Sequence, residues 1–184
     1  MELRGKRWTN TLVSEKIAGK RIRSLELFDT AVDDDFLETV AKSGTLQSIH
    51  ISSQTISDRG IACIVEHNPL TSLMLSGVPK VTDECMDAIC ACKTIRELYL
   101  DGTSVSDDGV ESIGELPEGV TMLEGQSPTM LRINNCKIDK TGIKWIVENL
   151  PIEFLELASS QMTELEVRQL GIPRKLQVMV HESG

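Results

Sequence analysis

At 184 residues and a formal net charge of −9, the chain can form one sizeable domain. It is too acidic for a protein that grips nucleic acid or an anionic membrane by neutralising phosphates. No apolar run approaches the roughly 18 residues a membrane span needs, and no apolar stretch behind Arg4, Lys6 and Arg7 makes a secretory signal, so a soluble protein is expected. Five cysteines, an odd number, fit a reduced compartment, the cytoplasm, better than a secreted disulfide framework.

In chain order, residues 1–20 depart from the pattern that follows. Asn10 is expected to cap a short helix running through Ala18, with Leu12, Val13 and Ile17 turned inward and Trp8 lying on the unit. This reads as a terminal cap over the end of a repeat array. The alternative makes MetGluLeuArg the remnant of an earlier strand.

From residue 21 a unit recurs. Ile22, Leu46, Leu70, Ile95, Pro128 and Ile152 open six copies at spacings of 24, 24, 25, 33 and 24 residues. Each opening position is followed at +3 and +5 by apolar pairs: Leu25/Leu27, Ile49/Ile51, Leu73/Leu75, Leu98/Leu100, Leu131/Ile133 and Leu155/Leu157. Periods of about 20 to 29 residues mark a solenoid in which stacked copies share one core. A small or polar position follows each strand (Thr30, Gln54, Val78, Thr103, Cys136, Ser160), then an apolar one (Val32, Ile56, Val81, Val105, Ile138, Met162).

The spacing then turns helical. Ser57-Asp58, Thr82-Asp83-Glu84, Ser106-Asp107-Asp108 and Thr163-Glu164 supply a capping hydroxyl and first-turn acids. Behind them Ile61/Ile64/Val65, Met86/Ile89/Cys90, Val110/Ile113/Gly114 and Ile143/Ile146/Val147 fall on one face. The dense acids Asp29, Asp33, Asp34, Asp35 and Glu38 could steer a basic partner, but three of them stand where every copy starts its helix, and that reading is preferred.

One irregularity interrupts the array. Residues 117–128 lengthen a connection by eight or nine residues, and Val120, Met122 and Leu123 are apolar for a solvated loop. Trp145, whose counterparts are the small or polar Cys63, Ala88, Ser112 and Gln169, is the expected landing place for this segment. After Ile172-Pro173, Leu176, Val178 and Val180 alternate as a closing strand, and the last four residues are expected to fray. The organisation is one domain, 1–184: cap 1–20, repeats 21–171, closing strand and tail 172–184.

These features resemble the leucine-rich repeat superfamily, and within it the subgroup reading LxxLxL, Cys or Thr, then V/I-T/S-D-x-G-L, which includes the cysteine-containing repeats of F-box leucine-rich-repeat proteins and similar bacterial arrays. Leu98, Leu100, Thr103, Val105, Ser106, Asp107, Gly109 and Val110 carry the likeness, and residues 75–83 match it equally well. It implies an α/β right-handed solenoid with a curved parallel sheet inside and short helices outside. The first twenty residues are too few for an F-box module.

Neighbouring strands lie about 4.8 Å apart whereas helices need about 10 Å, so the strands should line the concave side, seven of them over roughly 30 Å. Side chains flanking the buried leucines then face the concavity. Glu26, Phe28, His50, Met74, Glu97, Tyr99, Asp101, Met130, Arg132, Phe154 and Glu156 form the expected partner-binding surface. A protein partner with a basic patch suits it, and a recognition subunit of a larger assembly, ubiquitin-ligase-like, is the alternative. His50 with Glu26 and Ser48, Ser52 or Ser72 could suggest hydrolysis, but no strained elbow or oxyanion loop accompanies them, and a Glu26–His50 cross-strand pair is the simpler reading. Cys85, Cys90 and Cys92 lack a second ligand pair at metal spacing, so neither metal nor cofactor is expected.

Overall fold

The computed structural model describes residues 1–114, 129–158 and 161–181. The insertion 117–128, Ser160 and most of the C-terminal tail lie outside the described residues. Eight parallel strands form one sheet in chain order: β1 (Glu2–Arg4), β2 (Ser24–Phe28), β3 (Ser48–Ser52), β4 (Ser72–Ser76), β5 (Glu97–Asp101), β6 (Met130–Arg132), β7 (Phe154–Ala158) and β8 (Gln177–His181). Between them run α1 (Asn10–Ile17), α2 (Asp34–Ala41), α3 (Asp58–His67), α4 (Met86–Ala91), α5 (Asp107–Glu111), α6 (Lys140–Asn149) and α7 (Glu164–Gln169). Each strand from β1 to β7 is followed in sequence by a helix and then by a parallel neighbour, a crossover that is right-handed for L-residues.

The strand register is that of the repeat. Leu25, Ile49, Leu73, Leu98, Leu131 and Leu155 form one continuous row across the sheet and are fully buried. Helix residues such as Ile61, Ile64, Val110, Ile143 and Ile146 close over that row. Each buried Leu or Ile contributes on the order of 1.5–3 kcal/mol, and only stacking against neighbouring copies buries them completely.

The first twenty residues, expected to depart from the repeat, carry its strand and its helix. β1 pairs with β2 in repeat register, Leu3 opposite Leu27, which makes eight strands rather than seven. The helix is capped in position by Thr9 rather than by Asn10, and Thr9 makes no side-chain capping bond. Val13 is fully buried, but Leu12 is 45% exposed, because the inward face is Val13/Ile17 at i, i+4.

After the strands, Asp29, Gly77, Gly102 and Asn135 sit in the left-handed region, with φ of 51, 64, 61 and 56°. Gly102 also needs its missing Cβ, which would stand 3.0 Å from the Gly77 Cα. In the second copy the corresponding Ser53 is not left-handed. It turns inward, and Gln54, expected at the small polar position, is instead exposed and donates to the Gly77 carbonyl at 3.0 Å.

The acid after each capping position does more than start its own helix. Asp34 accepts from the Ser57 backbone N–H (2.9 Å) and hydroxyl (2.5 Å) of the next copy. Asp58 holds Thr82 in the same way (2.7 and 3.0 Å), and Asp83 holds Ser106 (2.8 and 2.6 Å). The hydroxyls of Ser57 and Ser106 therefore donate sideways instead of capping their own helices, contrary to expectation. Thr82 and Thr163 do cap, the latter in a full capping box with Glu166.

The glycine of the motif follows from these rungs. A Cβ on Gly60, Gly109 or Gly142 would stand 2.5, 2.1 or 2.2 Å from the carboxylate oxygen of Asp34, Asp83 or Asp107. Cys85 occupies the glycine position of the third copy, and there the chain winds as a 3-10 turn, Asp83–Cys85, before α4. At the N-terminal step Asn10 replaces the acid. It accepts from the Asp33 N–H at 3.1 Å and donates to the Asp33 carboxylate at 2.5 Å, which matches a neighbour bearing a carboxylate instead of a hydroxyl. At the C-terminal step Lys140 takes the acid's place and pairs with Glu166.

Candidate functional site

Alternation along the strands leaves one side chain in two on the sheet face away from the helices. The register aligns Glu26, His50, Met74, Tyr99, Arg132 and Glu156 in one row across it, and Glu97, Met130 and Phe154 in a second. These residues are half-buried, except Phe154, which is 41% exposed. The rows extend beyond the expected set: Glu2 on β1 and Met179 on β8 continue the first, Gln177 on β8 continues the second, and Arg4 and His181 stand in a third, opposite Phe28 and Ala158. Met179, 55% exposed, was legible only as part of a closing strand, because its neighbours Val178 and Val180 carried the whole alternation signal.

Two contact systems divide this face. In the first, the Arg4 guanidinium lies 4.0 Å above the Phe28 ring, and Phe28 meets the His50 ring edge-on at 4.5 Å. The His50 Nε2 is 3.3 Å from the Ser76 hydroxyl. Glu26 and His50 are register neighbours. Burial holds the His50 imidazole below its ordinary pKa; Glu26 opposes that shift, while Arg132 and Arg4 add to it. Of the serines weighed beside His50, none reaches it, since Ser76 does.

The second system centres on Arg132. Its Nε stands 2.6 Å from Asp101 and 3.5 Å from Glu156, and its guanidinium carbon is 5.3 Å from the Tyr99 ring centre. The contact with Asp101 is a close ion pair rather than an aligned hydrogen bond. The Tyr99 hydroxyl donates to the Met130 sulfur at 3.3 Å, and His181 adds a second cationic neighbour to Glu156 at 3.5 Å.

Asp101 is a correction to the expected surface. It is only 8% exposed, and its Oδ1 accepts the Asn134 N–H at 3.0 Å, so it holds Arg132 and the backbone just after β6 and is withdrawn from the open face. Burial raises its pKa against the opposing pull of Arg132. Burial also raises that of the Tyr99 phenol, helped by Glu97 and Glu156. The Glu26 and Glu97 carboxylates make no hydrogen bond or ion pair among the described residues.

The acidic run resolves into helix chemistry. Asp33 accepts from the Asp35 and Phe36 N–H groups, Asp34 forms a rung, and Asp35 pairs with Arg59 at 2.7 Å, with Glu38 on the same guanidinium at 2.5 Å. Trp145 covers Gly114, where a Cβ would meet its ring at 2.4 Å. The insertion expected to land there is outside the described residues.

Cys85 is buried, more so than Cys90, which the helical spacing had turned inward. Among the described residues no three His, Cys, Asp or Glu side chains assemble in a metal-holding group, and no helix is long and apolar enough to cross a membrane.

With this geometry in place, the comparisons fit it. The Leucine Rich repeat family model matches residues 91–114, which run from the end of α4 through β5 to the turn after α5. None of the curated proteins matches the chain. The match, together with eight parallel strands alternating with short helices, makes the architecture an α/β leucine-rich-repeat solenoid.

Proposed function

We propose that the chain is a non-catalytic interaction module that binds a protein partner across the open, concave side of its sheet. The supporting observation is the composition of that surface. In a chain with 3% aromatic residues, Tyr99, Phe154, Met74 and Met130 lie on the solvent side of a sheet whose own core needs none of them. Aromatic, methionine and arginine side chains are those enriched at the centres of protein interfaces. The eight-stranded sheet is wide enough for a macromolecular partner.

Charge narrows the partner. Arg4 and Arg132 are engaged within the protein, which leaves Glu26 and Glu97 as unpaired acids on this surface. A partner presenting basic side chains around an apolar centre complements it. The rungs joining the copies, with the full V/I-S/T-D-x-G at Ile56–Gly60 and Val105–Gly109, support assignment to the V-T-D-x-G-L type of repeat. The test is affinity capture with wild type and Tyr99→Ala/Phe154→Ala. Loss of the captured partner at unchanged thermal midpoint is expected, and an unchanged set of captured proteins overturns the assignment of the surface.

A further inference from the structure

The second row of the open face contains two anomalies side by side. Ser72, on β4, and Glu97, on β5, are direct register partners, and Met130 follows Glu97 on β6. Ser72 is 7% exposed, and its hydroxyl has no hydrogen-bond partner. A buried hydroxyl left without a partner is destabilising, and native structures rarely leave one. Glu97 is half-buried and likewise has neither cation nor donor among the described residues. No hydrogen bond or ion pair ties its carboxylate, which stands one strand across from Ser72.

We propose that Glu97 and Ser72 together seat one cationic side chain, lysine or arginine, supplied by the protein partner. The proposal rests on the reading of the open face as the partner-binding surface and specifies its anchor. The two residues are direct register partners on strands about 4.8 Å apart, so one nitrogen can bridge the carboxylate and the hydroxyl once the side chains covering Ser72 turn aside. The Met130 thioether and the Tyr99 ring, which stands two residues beyond Glu97 on the same face, provide an apolar flank for the stem of the incoming side chain. The guanidinium of Arg132 does not compete, because Asp101 and Glu156 hold it farther along the strands.

Selection from a phage-displayed random dodecapeptide library, using the full chain as bait, tests this. Peptides enriched on wild type should share a lysine or arginine beside an apolar residue, and which of the two dominates distinguishes ammonium from guanidinium recognition. For the best peptide, Glu97→Gln should weaken binding about ten- to a hundredfold, the loss expected for a hydrogen-bonded charge pair. Ser72→Ala should weaken it severalfold while raising the thermal midpoint, because it deletes an unpartnered hydroxyl. That opposition would not arise from a purely structural role.

Enriched peptides without a common basic residue, or equal binding by Glu97→Gln, overturn the seat. The wider reading then stands if Tyr99→Ala/Phe154→Ala still abolishes binding. Peptides that bind this double variant as well as wild type, or a selection that enriches nothing, overturn both.

Discussion

The carboxylate rungs make a prediction whose sign changes with background. Asp34 is buried at 8% exposure and accepts two hydrogen bonds from Ser57, at 2.9 and 2.5 Å. Bonds to a charged acceptor contribute about 1.5–3 kcal/mol each, so Asp34→Ala, taken at the lower value, should cost about 3 kcal/mol. For a domain of this length that lowers the thermal midpoint by about 6–12 °C. Gly60→Ala places a Cβ 2.5 Å from the Asp34 Oδ1 and drives the carboxylate off Ser57. It should cost about 2 kcal/mol, the broken rung less the 0.5–1 kcal/mol that Ala gains over Gly in a helix. In the Asp34→Ala background the obstacle is gone, and only the flexible end of Leu37, at 3.0 Å, must rotate. There the same Gly60→Ala change should be neutral or stabilising by about 0.5 kcal/mol. Urea unfolding of the four proteins at constant m-value reads the cycle. Equal costs of Gly60→Ala in both backgrounds would refute the claim that the carboxylate dictates the glycine.

Other outcomes follow from the same geometry. Asp107 faces Asp139, the one rung that sets carboxylate beside carboxylate, with the Asp139 N–H donating to Asp107 at 2.9 Å. Burial raises the Asp107 pKa against the pull of the Asp139 N–H, and the Asp139 carboxyl raises it further, which costs stability as pH climbs through the interval above 3.8. Asp139→Ser should move the Asp107 carboxyl resonance midpoint down, though not to the ordinary value, in a carbon-detected NMR titration; an unmoved midpoint contradicts the pairing. Lys140, then the Thr163 N–H and hydroxyl, depress Glu166 to about 2. A depressed acid stabilises above its unfolded value of 4.5 and loses that contribution as pH falls toward about 2. Glu166→Gln should therefore flatten acid unfolding over that window, and an unchanged acid limb excludes this role. Burial pushes the Cys90 and Cys136 thiols up to about 11 and the Cys85 thiol higher still. Iodoacetamide at pH 8 followed by peptide mass mapping should label Cys85 last, and labelling it at the rate of an unstructured thiol would show that the helix layer opens.

The repeat period was legible because leucine pairs at +3 and +5 recur with strands of fixed length, and every such pair from Leu25/Leu27 to Leu155/Leu157 is buried as read. β1 was legible only as the alternative reading of MetGluLeuArg as a strand remnant, because its three residues bury only Leu3 and offer no second tooth. A subtraction of 24 from Asp33-Asp34 lands on Thr9-Asn10, a signal that would have revealed the hidden copy. Helix positions were legible, but the destination of the acids was not. A first-turn aspartate looks the same in sequence whether it serves its own helix or the next one, and only stacking brings Ser57 to Asp34. The open face was legible as a set of directions; the contacts were not, since Asp101 is withdrawn under Arg132 by a partner 31 residues away.

The rungs also set a grammar for rearranging this protein. A copy whose rung residue is aspartate suits a follower that begins with a hydroxyl; Asp107, followed by Asp139, sets two carboxylates together, and the Asn10–Asp33 step shows the spelling that avoids this when the follower begins with an acid. Duplicating the unit that starts at Asp58 preserves every junction, since carboxylate meets hydroxyl on both sides. Transplanting the unit that starts at Asp139 behind Asp34 would instead seat two anions together, unless residue 34 were rewritten as asparagine.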